Sequence, residues 1–238
     1  MLQRLRLTSL HYLTLVLALA VATAAAEGAR ADDGPPAIAQ GGEWRAAVRT
    51  FAQQQLRHPA WGASHSQRDY DLARSLAAAD HVTLDDDVLY AAAFLHDVAA
   101  FAPWQKHGVD HADQAAQITG QLLAGTGFPM AKVDAVRGAI RTHMYPREPQ
   151  GPEALYLHDA DALDWLGAIG VARMFALVDP NGGQPDGPAA VKMLQEYLVK
   201  VPPRIRSPAG RARSVERVRE LQEYLKALGA ESADFSTL

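Results

Sequence analysis

Apolar residues recur at helical spacing along most of the chain from Trp44 onward. They return every three or four positions, as one buried face of an α-helix requires, and no stretch alternates between apolar and polar residues as a half-buried strand does. The pattern therefore predicts an all-α fold, a single helical domain of about eight helices. Their predicted bounds are roughly 44–56, 64–79, 84–101, 110–124, 130–143, 153–178, 189–201 and 209–228.

Residues that commonly cap helices mark several of the predicted starts. Ser64, Thr83 and Asp110 each precede an apolar periodic stretch, so their side chains are expected to accept hydrogen bonds from the first free backbone N–H groups. Gly125 follows the fourth predicted helix, where a glycine often ends a helix. The third predicted helix is rich in Ala, Val, Leu and Phe, which predicts that it is central and buried.

The N-terminal segment has the pattern of a secretory signal peptide. Arg4 and Arg6 precede the apolar stretch 12–26, which ends in alanines. This stretch is shorter than the roughly 20 residues that a membrane-spanning helix needs, so cleavage after Ala26 or Ala31 is expected rather than a stable membrane anchor. The protein is then expected to be secreted or periplasmic.

The remainder divides into a lead-in and one domain. With residues 1–26 as the predicted signal peptide, residues 27–41 have no periodic apolar face and are predicted to be a flexible lead-in. No linker interrupts residues 42–238, which are predicted to form the helical domain.

Composition excludes several classes of function. Of the 238 residues, 48% are hydrophobic and 21% charged, and the formal net charge is -4, as in an ordinary soluble globular protein. The acidic balance gives no electrostatic footprint for a nucleic-acid duplex. The chain has no cysteine, which rules out disulfides, thiolate zinc sites and a cysteine nucleophile. It also lacks the glycine-rich phosphate loop, the serine-hydrolase elbow and the dinucleotide fingerprint.

The strongest chemical signal is an adjacent imidazole and carboxylate, His96 and Asp97, inside the apolar run 91–100. Burying the two groups without partners would cost several kcal/mol. A hydrogen-bonded pair in the core, a pair at a helix end facing water, and a metal site all avoid that cost. The dipeptide alone leaves these alternatives open, because so short a motif often arises by chance.

Two further residues favour the metal site. His65 lies near the start of the second predicted helix, and Asp161 lies on the sixth. With His96 and Asp97 they offer two imidazoles and two carboxylates, which suit a divalent transition metal such as Mn, Fe, Co, Ni or Zn. Imidazole selects against Mg and Ca, and the absence of thiolates argues against a closed structural zinc site.

These motifs resemble those of the HD-domain phosphohydrolase superfamily, and most closely a bacterial group with a single HD domain. The signature of that superfamily is a His, then a His-Asp pair, then a distant Asp, which together bind a metal in an all-helical fold. The matching segments here are HSQR at 65–68, AFLHD at 93–97 and DADALDWLGAIG at 159–170. The resemblance extends over about residues 44–228.

The resemblance implies roles for individual residues. It selects Asp161, rather than Asp159 or Asp164, as the fourth ligand. The implied metal ligands are His65, His96, Asp97 and Asp161.

Related proteins also carry histidines near the metal at positions like His111 and His143. One of them would stabilise charge on the phosphoryl group or protonate the leaving oxygen, while Asp97 orients a water. His111 opens the fourth predicted helix, where free backbone N–H groups would also meet a phosphate, although a solvated helix-end histidine is the alternative. Since Met144 follows His143, the adjacent histidine pair usual in two-metal relatives is missing, and a mononuclear site is predicted.

Other polar residues keep simpler interpretations. Asp164 lies on the same helix face as Asp161 and would either accept a hydrogen bond from a ligating imidazole or pair with Arg68 or Arg173. The C-terminal arginines form either a cationic wall for a polyphosphate or a solvated helix paired with acids; they are Arg204, Arg206, Arg211, Arg213, Arg217 and Arg219. The histidines assigned to surface or packing are His58, His81, His107 and His158.

The resemblance therefore implies a metal-dependent phosphohydrolase that cleaves a phosphate ester or anhydride. Its partner would be a phosphorylated small molecule, with nucleotides as the substrate class that the resemblance suggests. The alternative is a non-catalytic exported module that keeps the site to bind a metal or a nucleotide.

Overall fold

The computed structural model describes residues 34–238, and this part of the chain is all-helical, as predicted. Over these residues the chain forms nine α-helices. They are α1 Trp44–Gln55, α2 Ala63–Ala79, α3 Asp86–Leu95, α4 His111–Leu123, α5 Val133–Arg141, α6 Pro152–Asp164, α7 Gly167–Phe175, α8 Gly187–Lys200 and α9 Pro208–Glu231. Short 3-10 turns occupy Val98–Ala100, Met130–Lys132 and Pro202–Arg204.

Helix α3 lies at the centre of the fold, as its composition predicts. Every residue from Val88 to Leu95 is buried, and α1, α2, α5 and α6 pack around the helix. The exposed end is the first turn, where Asp85 caps the helix by accepting hydrogen bonds from the N–H groups of Asp87 and Val88 at 3.1 and 3.3 Å. The side chains of the last turn of α3 therefore lie in the interior of the protein.

Two of the three predicted caps are wrong. Asp85 takes the place predicted for Thr83, and α2 begins after Gly62 rather than after Ser64. A Cβ at residue 62 would lie 2.4 Å from the carbonyl oxygen of Leu56, so the close chain reversal before α2 requires glycine there. Asp110 is confirmed as a cap, since its carboxylate accepts from the N–H groups of the next turn at 2.9 and 3.3 Å.

Helix α3 ends at Leu95, whereas the apolar pattern predicts a helix to Phe101. In a continuing helix the carbonyl of Ala93 would accept the N–H of Asp97, but it accepts the Nδ1–H of His96 at 2.8 Å instead. Asp97 then leaves helical geometry, with φ -100 and ψ 7. The His-Asp pair consequently stands at a helix end that is buried rather than open to water.

The predicted long sixth helix is two helices, α6 and α7. The carbonyl of Leu163, which a continuous helix would pair with the N–H of Gly167, instead accepts the N–H of Leu166 at 3.0 Å and Arg217 Nη1 at 2.6 Å. Helix α7 then begins at Gly167, whose positive φ of 66° favours glycine. The break turns α7 back so that it packs against α8 and α9.

The predicted signal peptide, residues 1–26, lies outside the described residues 34–238. The predicted lead-in, 27–41, is described from residue 34. It has no helix there, but Ile38 is buried in the core, which anchors this part of the lead-in to the domain and corrects the expectation that it is flexible throughout. Within residues 34–238, no helix combines the length and the apolar character needed to span a bilayer.

Candidate metal centre

The predicted site residues converge from different helices on one buried place in the fold. His65 lies in the first turn of α2, His96 and Asp97 lie at the end of α3, and Asp161 lies in the last turns of α6. All four are buried, with at most 8% of any residue exposed. The structure thus brings the four predicted ligands together.

The imidazole ring of His65 is oriented by a hydrogen bond from its Nδ1 atom. Nδ1 lies 2.8 Å from Oδ2 of Asp164, and since a carboxylate there accepts, Nδ1 carries the proton and Nε2 keeps its lone pair. Nε2 lies 3.2 Å from Nε2 of His96 and 3.3 Å from Oδ1 of Asp161. The lone pair of His65 therefore points at the other predicted ligands.

The imidazole of His96 is fixed in the same way. Its Nδ1–H donates to the carbonyl of Ala93, so Nε2 faces the cluster, 3.3 Å from Oδ2 of Asp97. Burial lowers the pKa of His96, but the facing carboxylates, Asp97 first among them, outweigh burial and raise that pKa to about 10. The carboxylates around His96 thus favour a positive charge at this place.

A fifth buried donor, Asp69, lies in the cluster and was not found in the sequence. Four donor atoms, from His65, Asp69, His96 and Asp161, all lie within 4.8 Å of one another. Asp69 Oδ2 is 3.1 Å from Nε2 of His65, and burial raises the pKa of Asp69 to about 7. Its spacing of four residues after His65, on one helix face, was the available signal.

Asp97 connects this cluster to the predicted catalytic histidines. Its Oδ2 faces His65 and His96, whereas its Oδ1 lies 3.3 Å from Nε2 of His111 and 3.7 Å from Nε2 of His143. A second compact group, His96, Asp97 and His143, shares His96 with the first. Both predicted catalytic histidines are thus placed beside the cluster, on the far oxygen of Asp97.

His111 and His143 differ in their environment. The side chain of His111 is 13% exposed; burial lowers its pKa, but contact with Asp97 raises the pKa above the usual histidine value. His143 is almost fully buried, its Nδ1–H donates to the carbonyl of Ile140 at 2.6 Å, and burial lowers its pKa to about 3. His111 is the accessible histidine, and His143 is a neutral one.

The expected phosphate site at the start of α4 is not supported. The Asp110 carboxylate already accepts the N–H groups of Ala112 and Asp113, so these backbone donors are occupied by the protein's own anion. A role for His111 rests on its position beside Asp97 instead.

Asp164 takes both of the roles that the sequence leaves open. It accepts the Nδ1–H of His65, and it also pairs with Arg68 at 2.8 Å and with Arg173 at 3.1 Å. These contacts hold the pKa of Asp164 well below its usual range despite its burial. A permanently charged carboxylate therefore orients the His65 ring.

Arg173 is a buried cation that the sequence suggests only as a partner of Asp164. It is 2% exposed, its guanidinium lies 3.7 Å from the ring centre of Trp165, and its Nε donates to the carbonyl of Ala60 at 2.5 Å. Its Nη2 lies 3.3 Å from Nε2 of His65. Arg173 thus joins α7 to the His65 side of the cluster.

The remaining histidines and the C-terminal arginines lie in ordinary contacts. His158 is buried and bonds Asp159 at 2.9 Å, His58 stacks on Trp61 at 3.6 Å, and His81 and His107 are exposed. The arginines pair mostly with acids, as Arg204 and Arg206 do with Glu148 and Arg213 does with Glu216, while Arg217 binds the carbonyl of Leu163. These pairs favour the solvated-helix interpretation.

The donor set fits a divalent metal. The Nε2 atoms of two imidazoles face each other at 3.2 Å with carboxylate oxygens around them, while both oxygens of Asp69 are buried without a hydrogen-bond partner. Ligand atoms on metal bonds of about 2.1 Å at right angles lie about 3.0 Å apart. The observed 3.1 to 3.3 Å separations from His65 Nε2 to Asp69, His96 and Asp161 match that spacing.

Comparisons with known proteins agree with this fold. Residues 62–166 match the family model described as HD domain. A predicted HD superfamily hydrolase from an uncultured Thermotogales bacterium is 26% identical, with a TM-score of 0.55 over 77% of this chain and 90% of that one. A Lactobacillus plantarum protein is also 26% identical, with a TM-score of 0.59 over 80% of this chain and 98% of that one.

A third solved structure shares the fold. Bacillus subtilis YpgQ in complex with ADP is 22% identical, with a TM-score of 0.60 over 79% of this chain and 94% of that one. A search of curated proteins gives no match. His65, the His96-Asp97 pair and Asp161 all lie inside the matched region 62–166. This region is an HD domain, and together with the HD superfamily hydrolase relative it supports a metal-dependent phosphohydrolase.

Proposed function

We propose that this phosphohydrolase cleaves a phosphate ester or anhydride of a nucleotide, using one divalent transition metal. The observation that carries the proposal is the arrangement of His65 and His96: each donates Nδ1–H to a fixed acceptor, so that both Nε2 lone pairs converge with carboxylate oxygens. Beside this cluster, Asp97 presents its other oxygen to two further histidines.

The proposed ligands are His65, His96, Asp97 and Asp161. When bound there, a metal would polarise a phosphoryl oxygen and lower the pKa of a water toward neutrality. The surrounding residues hold this donor set in place, because Asp164 orients His65 and the Ala93 carbonyl orients His96.

The proposed catalytic residues lie around Oδ1 of Asp97, the carboxylate oxygen that faces His111 and His143. Asp97 accepts a hydrogen bond from the attacking water and so orients it. His111, the more accessible histidine, donates a proton to the leaving oxygen or stabilises negative charge on the phosphoryl group. His143, neutral and buried, lies 3.7 Å from the same oxygen of Asp97 on its interior side.

Two observations support a nucleotide as the substrate. The fold relative YpgQ has been crystallised with ADP, and half-buried aromatic rings are linked to the cluster through Arg173, which lies 3.3 Å from His65. Trp165, which stacks on Arg173, and Tyr145 each contact the ring of Tyr197, with centroids 5.4 and 6.0 Å apart. Such rings offer apolar surface for a nucleobase.

Export is a further part of the proposal. It is supported by the N-terminal sequence alone, where two arginines precede the apolar stretch 12–26 and small residues follow. A protein secreted or placed in the periplasm would meet nucleotides outside the cytoplasmic pool.

The test combines metal content with turnover. Elemental analysis of the purified protein should find about one transition-metal ion per chain, and the His96→Ala and Asp97→Ala variants should lose it. His81→Ala, which removes an exposed histidine, is the matched control and should retain the metal.

Phosphate and pyrophosphate release should then be measured on nucleoside mono-, di- and triphosphates beside p-nitrophenyl phosphate and inorganic pyrophosphate. The proposal expects the highest kcat/KM with a nucleotide. A fully metal-loaded protein that turns over none of these compounds would contradict hydrolysis and favour the binding-module alternative.

A further inference from the structure

We propose that Asp69 is an additional metal ligand of this chain, beyond the four residues of the family motif. The inference rests on the proposed function, because it concerns the same metal. It gives the centre a donor set of two imidazoles and three carboxylates.

The position of Asp69 is the first argument. It lies one helical turn after His65 on α2, which places both side chains on the same face. Its Oδ2 is 3.1 Å from Nε2 of His65 and 3.8 Å from Nε2 of His96. One carboxylate oxygen of Asp69 lies within 4.8 Å of ligand atoms of His65, His96 and Asp161, so Asp69 occupies a ligand position.

The burial of Asp69 is the second argument. The side chain is 0% exposed, and neither carboxylate oxygen has a hydrogen-bond partner. Among the described residues, the charged groups within ion-pair distance of Asp69 are the imidazoles of His65 and His96, with no lysine or arginine. A buried carboxylate without partners is strongly unfavourable, and a bound cation removes that penalty.

Contrast with Asp164 makes the same point. Asp164 is equally buried but is surrounded by His65 Nδ1, Arg68 and Arg173, so its charge is satisfied by the protein. Asp69 faces the lone-pair side of His65 and has no such partners. Asp164 therefore orients the ligand His65, and Asp69 binds the metal itself.

An extra carboxylate changes which metal the site favours. Five protein donors, three of them hard carboxylate oxygens, suit an octahedral ion such as Mn²⁺ or Fe²⁺ better than four-coordinate zinc. Removal of Asp69 should therefore weaken Mn²⁺ binding more than Zn²⁺ binding.

The test uses the metal-free protein and MnCl₂ as the probe. Isothermal titration should show Mn²⁺ binding weakened on the order of 100-fold in Asp69→Asn and at least as much in Asp69→Leu, since even the groups that only orient ligands are worth about 10- to 100-fold. The matched control is Asp71→Asn, which removes an exposed carboxylate from the same helix and should bind as wild type does.

Thermal unfolding of the metal-free proteins supplies a second readout. Because Asp69 is a buried acid whose oxygens have no hydrogen-bond partner when no metal is present, the metal-free Asp69→Leu protein should melt at the wild-type temperature or higher, and its upward shift on adding Mn²⁺ should shrink. A residue that merely pairs with His65 predicts the opposite, a lower melting temperature without metal.

The outcomes separate this proposal from the one it rests on. If the wild type takes up no metal, the metal site itself is wrong and both proposals fall. If the wild type binds Mn²⁺ and both Asp69 variants bind it equally well, or if both variants are less stable without metal and unchanged in affinity, Asp69 is not a ligand while the four-residue site stands.

Discussion

Asp164 accepts the Nδ1–H of His65 at 2.8 Å and is itself held between Arg68 and Arg173. This contact decides which nitrogen of His65 carries the proton, and so which one can bind a metal. Burial alone would raise the pKa of Asp164, but the hydrogen bond from His65 and the two arginines outweigh it and hold the pKa well below the usual range, so the carboxylate stays charged. The orientation of a proposed ligand on α2 thus depends on a charge on α6.

Replacing Asp164 with Asn should weaken metal binding by about 10- to 100-fold, because the ring of His65 loses a charged acceptor. The affinity is measured by competition with a chelator. The control is Asp159→Asn on the same helix, where a buried carboxylate accepts the backbone N–H groups of Arg206 and Ser207 instead. That variant should be destabilised by about 1–3 kcal/mol but keep its metal affinity; equal affinity losses in both variants would contradict the assignment.

The four motif residues were predictable because their types and order carry the signal. Asp69 was not, because it follows Arg68 in a polar helix start where an aspartate normally faces solvent. Its burial results from the way α2 packs against α6 and α3. A sequence shows the residue type at a position, whereas the face that is covered depends on neighbouring helices.

Helix positions were also largely predictable, and the errors have local causes. The Asp110 cap and the ends of α1 follow the apolar pattern closely. The end of α3 does not, because a side chain, His96, takes the carbonyl that would continue the helix. Periodicity of apolar residues cannot report such a contact, since the apolar run continues through the 3-10 turn Val98–Ala100 to Phe101.

The break between α6 and α7 depends on Gly167, and Gly167→Ala should lower the free energy of unfolding by about 1–2 kcal/mol. The residue has φ +66°, and an added Cβ would lie 2.7 Å from Oε2 of Glu220. Gly138→Ala is the control of opposite sign: it lies within α5 with nothing within 4 Å of the added carbon, and alanine there should stabilise by up to about 1 kcal/mol. Urea denaturation of both variants and the wild type measures these two changes in the free energy of unfolding.

If Gly167→Ala were as stable as wild type, the left-handed geometry would not be needed, and a continuous helix over residues 153–178 would become possible again.

Arg45 on α1 pairs with Asp86 at 2.5 Å and Asp87 at 2.7 Å in the first turn of α3. Burial raises the pKa of Asp86, but the hydrogen bond from Arg45 outweighs it; Lys132 and Arg45 lower the pKa of Asp87. Both pKa values lie below those of the unfolded chain, so this stability is present above about pH 4 and is lost as the pH falls through the folded pKa values.

Arg45→Met should therefore cost about 0.5–1 kcal/mol at neutral pH, allowing for solvent screening of these part-exposed groups. The difference from wild type should shrink as the pH is lowered below 4 and when about 1 M NaCl is added. The midpoints of urea denaturation of both proteins, determined over a pH series, measure this difference in stability. A difference that persists in acid would mean that Arg45 contributes through its contacts with the Trp44 and Tyr90 rings instead.

Export predicts a defined N-terminus. Protein isolated from its native cells should begin at Glu27 or Asp32, as cleavage after Ala26 or Ala31 requires, and mass spectrometry of the periplasmic or secreted fraction measures it. An intact residue 1 in the cytoplasmic fraction would overturn the proposed location and make cytoplasmic nucleotides the substrate source.

His111→Ala should lower turnover by about 10²-fold while leaving metal content and folding nearly intact. His111 lies outside the proposed ligand set, with Nε2 3.3 Å from Oδ1 of Asp97 and its side chain partly exposed. If the imidazole acts in the transition state, kcat falls; if it only holds substrate, KM rises. Steady-state kinetics and metal analysis on the same sample decide between them. Unchanged kcat/KM at full metal occupancy would remove His111 from the mechanism and leave His143, on the same oxygen of Asp97, as the remaining candidate.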